Sequence, residues 1–243
     1  MTDTVIIIPS RLEATRLPNK PLKKINNKEM ILHVVEAANK AGIGEVIVAS
    51  PNKQIQDLIL KNKGTCVITK DHHKTGTDRI FEVFDKYLKR KPKNIINLQG
   101  DMPNIKPDAI KMLMNYMKKK NCDIATLASD FDNEKEVENN NNVKVLTKNI
   151  LKQNEFETAI DFFRRTEISK TKNLYHHIGI YAFTREALIR YVSLEQTKKE
   201  TSRNLEQLRA LDNDMKIHVG YTSSVPLSVD TEEDLKKIEK LMK

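Results

Sequence analysis

Short, uninterrupted apolar runs alternate along this chain with stretches in which apolar residues recur every three or four positions. Val5-Ile6-Ile7-Ile8 stops at Pro9, the pattern of a strand buried on both faces. From Met30, the spacing of Ile31, Val34, Val35 and Ala38 predicts a helix ending near Gly42. Val46 to Ala49 reads as a second strand, Ile55 to Leu60 as a helix and Cys66 to Ile68 as a third strand. Ile80, Val83, Phe84 and Leu88 mark a helix after Gly76, and Ile95 to Leu98 a fourth strand. This alternation predicts an α/β fold with a doubly wound, mostly parallel sheet, whose ligands gather beyond the carboxyl ends of the strands.

A helix from Ala109 to Lys120 and a strand from Ile124 to Ala128 continue the pattern, which then loses regularity between Ser129 and Asn142. Val143 to Leu146, Phe162-Phe163 and His177 to Phe183 suggest strands of a smaller mixed α+β lobe. Helices are expected at Glu186 to Tyr191 and Leu205 to Leu211, a strand at Ile217 to Val219 and a closing helix from Thr231 to Met242. A chain of 243 residues accommodates one catalytic unit. We expect one core built from 1–130 and 205–243, with 131–204 inserted as the smaller lobe.

Charge narrows the function classes. The net charge is +9, yet Lys is scattered among Glu and Asp, the cationic triplets are Lys89-Arg90-Lys91 and Lys118-Lys119-Lys120, and there is no Trp. A polynucleotide-binding face needs clustered cations, often with stacking aromatics, so anionic small substrates fit better and no nucleic-acid partner is expected. Cys66 and Cys122 stand far apart without metal spacing, which argues against a disulfide framework or a zinc site. No segment reaches the about 18 apolar residues of a membrane span, and the start lacks a basic region followed by a long apolar one. No membrane association and a cytoplasmic location are the expectation.

Candidate chemistry begins directly after the first strand. The loop from Ser10 to Leu22 carries Arg11, Arg16 and Lys20 among prolines, either as a solvated basic loop or as cations for a phosphate chain. Gln99-Gly100-Asp101 follows the fourth strand, where Asp101 is either a turn residue or a hard oxygen for a cation such as Mg2+. Mg2+ ordinarily takes one or two carboxylates, so a second is to be sought. Asp230, in Val229-Asp230-Thr231-Glu232-Glu233-Asp234-Leu235, is either that second ligand or the N-cap of the last helix, with Glu233 three residues on.

Ile8 to Leu22 resembles the signature of sugar nucleotidyltransferases, which in the CMP-Kdo synthetases (3-deoxy-manno-octulosonate cytidylyltransferases) reads approximately I-P-A-R-x-x-S-T-R-L-P-G-K-P-L. Ser10 stands for Ala, Ala14 for Ser and Asn19 for Gly. Lys74-Thr75-Gly76-Thr77-Asp78-Arg79 resembles S-G-T-E/D-R, and 229–235 matches V-D-T-x-E-D-L. Phe162-Phe163-Arg164-Arg165 resembles Y-F-S-R, His176-His177-Ile178-Gly179-Ile180-Tyr181 resembles R-H-I-G-I-Y, and 205–211 matches L-E-Q-L-R-A-L. The resemblance runs from Ile6 to Leu235 with its motifs in order. Its departures are Met102 for the usual Glu, His176 for Arg, Arg164 for Ser, and Arg203 near a usually acidic position.

The resemblance implies a Rossmann-like nucleotidyltransferase that moves CMP from CTP to an acidic sugar, Kdo, for lipopolysaccharide synthesis, with Mg2+ and as a homodimer. It implies CTP binding by Pro9, Ser10, Arg11, Arg16, Lys20, Arg79 and Asp101, and Mg2+ held by Asp101 and Asp230. Those two carboxylates with Arg11 and Lys20 form the implied catalytic set. Arg165 is implied to pair with the sugar carboxylate, while Gln99, His177, Tyr181, Glu206 and Gln207 bind its hydroxyls. Another acidic sugar, such as 8-amino-Kdo or a sialic acid, and a catalytically impaired nucleotide-binding homologue are the alternatives.

Overall fold

The structure, a computed structural model, describes residues 3–13, 16–119, 122–165 and 171–243. In chain order its elements are β1 (Thr4–Pro9), β2 (Lys24–Ile25), β3 (Lys28–Glu29), α1 (Met30–Ala41), β4 (Glu45–Ser50), α2 (Lys53–Lys61), β5 (Thr65–Ile68), α3 (Gly76–Glu82), β6 (Asn94–Leu98) and α4 (Pro107–Lys119). There follow β7 (Ile124–Ser129), α5 (Glu134–Glu138), β8 (Lys144–Thr147), β9 (Phe156–Phe163), β10 (Leu174–Thr184), α6 (Arg185–Ser193), α7 (Lys198–Arg203), α8 (Leu208–Leu211), β11 (Ile217–Tyr221) and α9 (Glu232–Leu241). The chain forms two compact units, Met1–Met112 with Pro226–Lys243, and Leu113–Val225. Ala14, Thr15 and Lys120, which entered the motif and helix expectations, lie outside the described residues.

In the first unit the strands run β5-β4-β1-β6, each pair parallel. All six residues of β1 are buried, as expected of a central parallel strand covered on both faces. Gly42 ends α1 in the left-handed conformation at φ 63°, the usual glycine stop. At Gly44 a side chain is sterically barred, because a Cβ would lie 2.1 Å from the Thr4 carbonyl oxygen. The short β2–β3 hairpin turns on Asn26 and Asn27, both with positive φ, which Asn tolerates better than other side chains. Leu17, Ile25 and Met30 pack with Val229, Leu235 and Ile238 into one apolar cluster. The returning C-terminal segment is thereby fixed beside the cationic loop.

The second unit departs from the expected mostly parallel sheet. Its strands run β10-β7-β11-β9-β8, and among the described residues β7 with β11 is the parallel strand pair while the others are antiparallel. Leu174 to His176 at the start of β10 also pair with β8, so the sheet curls back on itself. The connection between β8 and β9 contains no helix, and strands so joined pair antiparallel. The expected strand at Phe162-Phe163 begins earlier, at Phe156. The helix expected over Leu205 to Leu211 is confined to α8, since Asn204 turns left-handed at φ 52° and ends a separate helix, α7. That helix opens with a capping box of Thr197 and Glu200.

An ion pair sits inside this second unit. Arg209 and Glu200 are each 3% exposed; Arg209 Nε donates to Glu200 Oε2 at 3.0 Å and a terminal guanidinium nitrogen donates to Oε1 at 2.7 Å. The guanidinium also lies 4.6 Å from the centre of the Tyr191 ring. Arg203 makes a second such link on the surface, donating to both carboxylate oxygens of Asp161. The cation at 203 therefore has its acidic partner on β9.

Candidate active site

Two carboxylates distant in sequence, Asp101 and Asp230, meet on one ammonium. Lys20 Nζ lies 2.9 Å from Asp101 Oδ2 and 2.9 Å from Asp230 Oδ1, and Arg16 lies 2.9 Å from Asp230 Oδ2. Burial opposes the charge on Lys20, but Asp101 and Asp230 outweigh it and raise its pKa above the ordinary lysine value. Backbone N–H donors stitch the carboxylate-bearing segments together: Val229 N donates to Asp101 O at 3.0 Å and Leu227 N to the Asn104 side-chain Oδ1 at 2.9 Å. Lys20 itself opens a short 3-10 turn after Asn19, whose φ is 55°. The Asn that replaces the resembling family's Gly thus occupies a left-handed position.

Asp230 is not the cap of α9. Thr231 is: its hydroxyl accepts from Asp234 N, and the Asp234 carboxylate accepts from the Thr231 backbone in a capping box. Asp234 Oδ2 also accepts from Asp230 N at 3.0 Å. The capping pattern therefore lies one residue later than the Asp230–Glu233 reading, leaving the Asp230 carboxylate to Lys20 and Arg16. Asp234 fixes its backbone, a role the sequence expectations did not contain.

Around this centre, Ser10 at the carboxyl end of β1 donates its backbone N–H to Ala49 O at 2.9 Å. Its buried Oγ has no hydrogen-bond partner among the described residues. Arg11 is exposed. Gly76, at the start of α3, is close-packed: a Cβ there would lie 3.3 Å from Pro9 and 3.4 Å from the Gln99 amide nitrogen. Gln99 donates to Asn97 at 3.1 Å, and Asn97 donates to Thr77 at 3.0 Å, which ties the end of β6 to the first turn of α3. The cap of α3 is Thr75, whose hydroxyl accepts from Asp78 N. Gly100 approaches β1 and α1 closely, with a Cβ placed 3.1 Å from Ile31 and 3.3 Å from Pro9 O. Met102 is 3% exposed and belongs to the core.

Arg79 and Glu82 turn inward from α3 and hold the loop that precedes it. Arg79 is 3% exposed and donates to Thr69 Oγ1 at 2.6 Å, Lys70 O at 2.9 Å and Asp71 O at 3.1 Å. Burial, followed by the charge of Arg11, lowers its pKa. Glu82 accepts from Lys70 N at 2.9 Å and lies 2.6 Å from His73 Nε2. Although burial works against its charge, these bonds bring its pKa down to about 2. The loop from Thr69 to His73 is thus pinned from beneath, which no periodicity in the sequence signals.

In the second unit, His177 and Tyr181 are buried on β10 on either side of a β-bulge. Thr126 fills the bulge, 2.7 Å from Ile180 O, 3.1 Å from Ile178 O and 2.9 Å from His177 Nε2. Its one hydroxyl proton goes to a carbonyl, so His177 Nε2–H donates to Thr126 Oγ1 and Nδ1 is the ring acceptor. Burial, then His176 and Arg164, push the His177 pKa down to about 3, so the ring is neutral at pH 7. Burial and Glu206 raise the Tyr181 phenol well above its usual range, while Arg164 opposes them. Gln207 is buried, and its Nε2 has no partner among the described residues. Arg165 is exposed at the end of β9.

A family model for cytidylyltransferases matches residues 5–217. The chain belongs to the cytidylyltransferase family. It is 40% identical over 241 residues to 3-deoxy-manno-octulosonate cytidylyltransferase of Bartonella tribocorum, covering 99% of this chain and 98% of that protein. The enzyme of the same name from Rhodopseudomonas palustris is 40% identical over 242 residues, with 99% and 98% covered. Among solved structures, a CMP:2-keto-3-deoxy-manno-octonic acid synthetase complexed with CTP superposes with a TM-score of 0.88 at 32% identity, covering 98% of both chains. This family membership fixes the fold as an α/β nucleotidyltransferase. No helix among the described residues is long and apolar enough to cross a membrane.

Proposed function

We propose that this chain transfers CMP from CTP to 3-deoxy-D-manno-octulosonate (Kdo), giving CMP-Kdo and pyrophosphate for lipopolysaccharide synthesis. The observation that carries the reading is the convergence of Asp101 and Asp230 on the Lys20 ammonium at the end of the first unit's strands. Near full-length identity to enzymes named for this reaction supports it. Among the described residues no group of three or more His, Cys, Asp or Glu is arranged to hold a metal ion. The pair Asp101 and Asp230 fits a cation that takes two hard carboxylates and completes its shell with phosphate oxygens and water, which is the habit of Mg2+. Asp101 and Asp230 would hold that ion; when bound it neutralises the triphosphate and acidifies the attacking hydroxyl.

Arg11, Arg16 and Lys20 bind the triphosphate, and the Ser10 hydroxyl takes a bond from the nucleotide. Arg79 serves the nucleotide side from α3, by bracing the 69–73 loop. The anomeric oxygen of the sugar forms a bond to the α-phosphorus while the bond to the pyrophosphate oxygen breaks. Lys20, released from part of its carboxylate pairing by the bound ligands, stabilises the negative charge that leaves. Arg165 pairs with the sugar carboxylate; Gln99, neutral His177, Tyr181, Glu206 and Gln207 supply the donors and acceptors for its hydroxyls. The nucleotide core at 1–130 and 205–243, the sugar and dimerisation lobe at 131–204, a homodimer and a cytoplasmic location belong to the same proposal.

Nucleotide choice tests it. CTP with Mg2+ is expected to raise the melting temperature clearly more than ATP, GTP or UTP at equal concentration, because ligands that bind only the folded state stabilise it in proportion to occupancy. Equal shifts from all four nucleotides in differential scanning fluorimetry would count against cytidine recognition.

A further inference from the structure

Lys144 is fully buried, with 0% exposure, in the first position of β8. Its ammonium donates to three backbone carbonyls: Asn139 at 2.7 Å, Asn142 at 3.1 Å and Arg164 at 2.5 Å. The Arg164 guanidinium in turn donates to Asn141 O at 2.9 Å. The 139–142 loop and the end of β9 are thus cross-braced through one buried cation. An internal lysine without a carboxylate partner is costly, since its solvation must be replaced entirely by protein dipoles. A loop-to-strand link for stability alone needs no charge.

The place of this brace suggests what the charge does. In the register of the sheet Lys144 faces Phe163 on β9 and His176 on β10. It therefore sits between two departures from the family pattern, the Arg gained at 164 and the Arg lost at 176. The charge of Arg164 bears on both His177 and Tyr181, and Arg165 is the next residue. We propose that Lys144 is a positioning residue for sugar recognition: by binding the Arg164 carbonyl it sets where the Arg164–Arg165 pair meets an anionic sugar, with Arg164 supplying the cation that position 176 has given up. This inference rests on the sugar reading above and extends it to two residues outside that set.

The test compares Michaelis constants for Kdo and CTP in Lys144→Met, Lys144→Gln, Arg164→Ala and Arg165→Ala. Lys144→Met is expected to raise the Kdo constant about ten-fold, with the CTP constant within about two-fold, since the loss is of charge-assisted bonds in one half of the site. Lys144→Gln, which retains two donors, should fall between Met and wild type. A merely structural lysine would instead lower the active fraction, reducing kcat and leaving both constants unchanged. If Lys144→Met does not fold, a selective Kdo effect of about three-fold or more in Lys144→Gln supports the proposal and an unchanged constant overturns it. Unchanged Kdo binding in folded Lys144→Met, with both arginine variants impaired, overturns the brace and leaves the sugar reading standing. Unchanged Kdo binding in both arginine variants overturns the sugar reading and the brace with it.

Discussion

Asp101→Asn and Asp230→Asn are each expected to lower turnover by about two orders of magnitude or more, and the double variant to be scarcely worse than either. Each substitution keeps the side-chain volume and removes one negative charge from the point where Asp101 and Asp230 share the Lys20 ammonium and where they would hold the Mg2+ cation. Once that cation is misplaced, losing the second carboxylate has little left to remove. The fold separates this account from a structural one. Because Thr231 and Asp234, rather than Asp230, cap α9, Asp230→Asn should leave circular dichroism and melting temperature nearly unchanged while activity collapses. Near wild-type turnover in the folded variant at low Mg2+ would remove Asp230 from the mechanism.

Arg209→Ala and Glu200→Ala are expected to destabilise the protein by about 3–5 kcal/mol each, measured by urea unfolding. Both side chains are 3% exposed, so removing one strands the other's charge in the interior without a counterion. Glu200 also closes the capping box of α7, and Arg209 stacks on Tyr191, so each variant loses a further contact. The pair Glu200→Leu with Arg209→Met should recover much of the loss, because an apolar pair leaves no orphaned charge. A loss below about 1 kcal/mol in either single variant would mean that water reaches the pair and screens it.

The parts of this architecture legible in the sequence are those where burial on both faces makes a strand a continuous apolar run, as in Val5 to Ile8 and Ile95 to Leu98. There the helix periods and the Gly42 stop agreed with the tertiary structure. The second unit was harder to read. β9 exposes one face, and its charged Glu157 and Asp161 interrupt the apolar pattern, so only Phe162-Phe163 stood out. Asn204 looks merely polar in a sequence, yet it and Asn19, which stands where the resembling family has Gly, carry the left-handed backbone that sets a helix end and the Lys20 turn. The Thr197–Glu200 box had the right spacing but no apolar run behind it. In Asp230-Thr231-Glu232-Glu233-Asp234, two overlapping capping patterns differ by one residue, and only the hydrogen bonds choose between them. The convergence of Lys20, Asp101 and Asp230 is a tertiary fact, suggested by resemblance and invisible to periodicity. Lys144 gave no signal, because a lysine in a strand is ordinarily taken for a solvent-facing one.

Product formation by the purified protein is the most direct measurement of the central claim. With CTP, Mg2+ and Kdo, the account predicts pyrophosphate release matched mole for mole by CMP-Kdo, and distinctly slower release with 8-amino-Kdo or a sialic acid. Pyrophosphate release no faster than background from folded protein that binds CTP would contradict it, and would mark the chain as a nucleotide-binding homologue without the transferase activity.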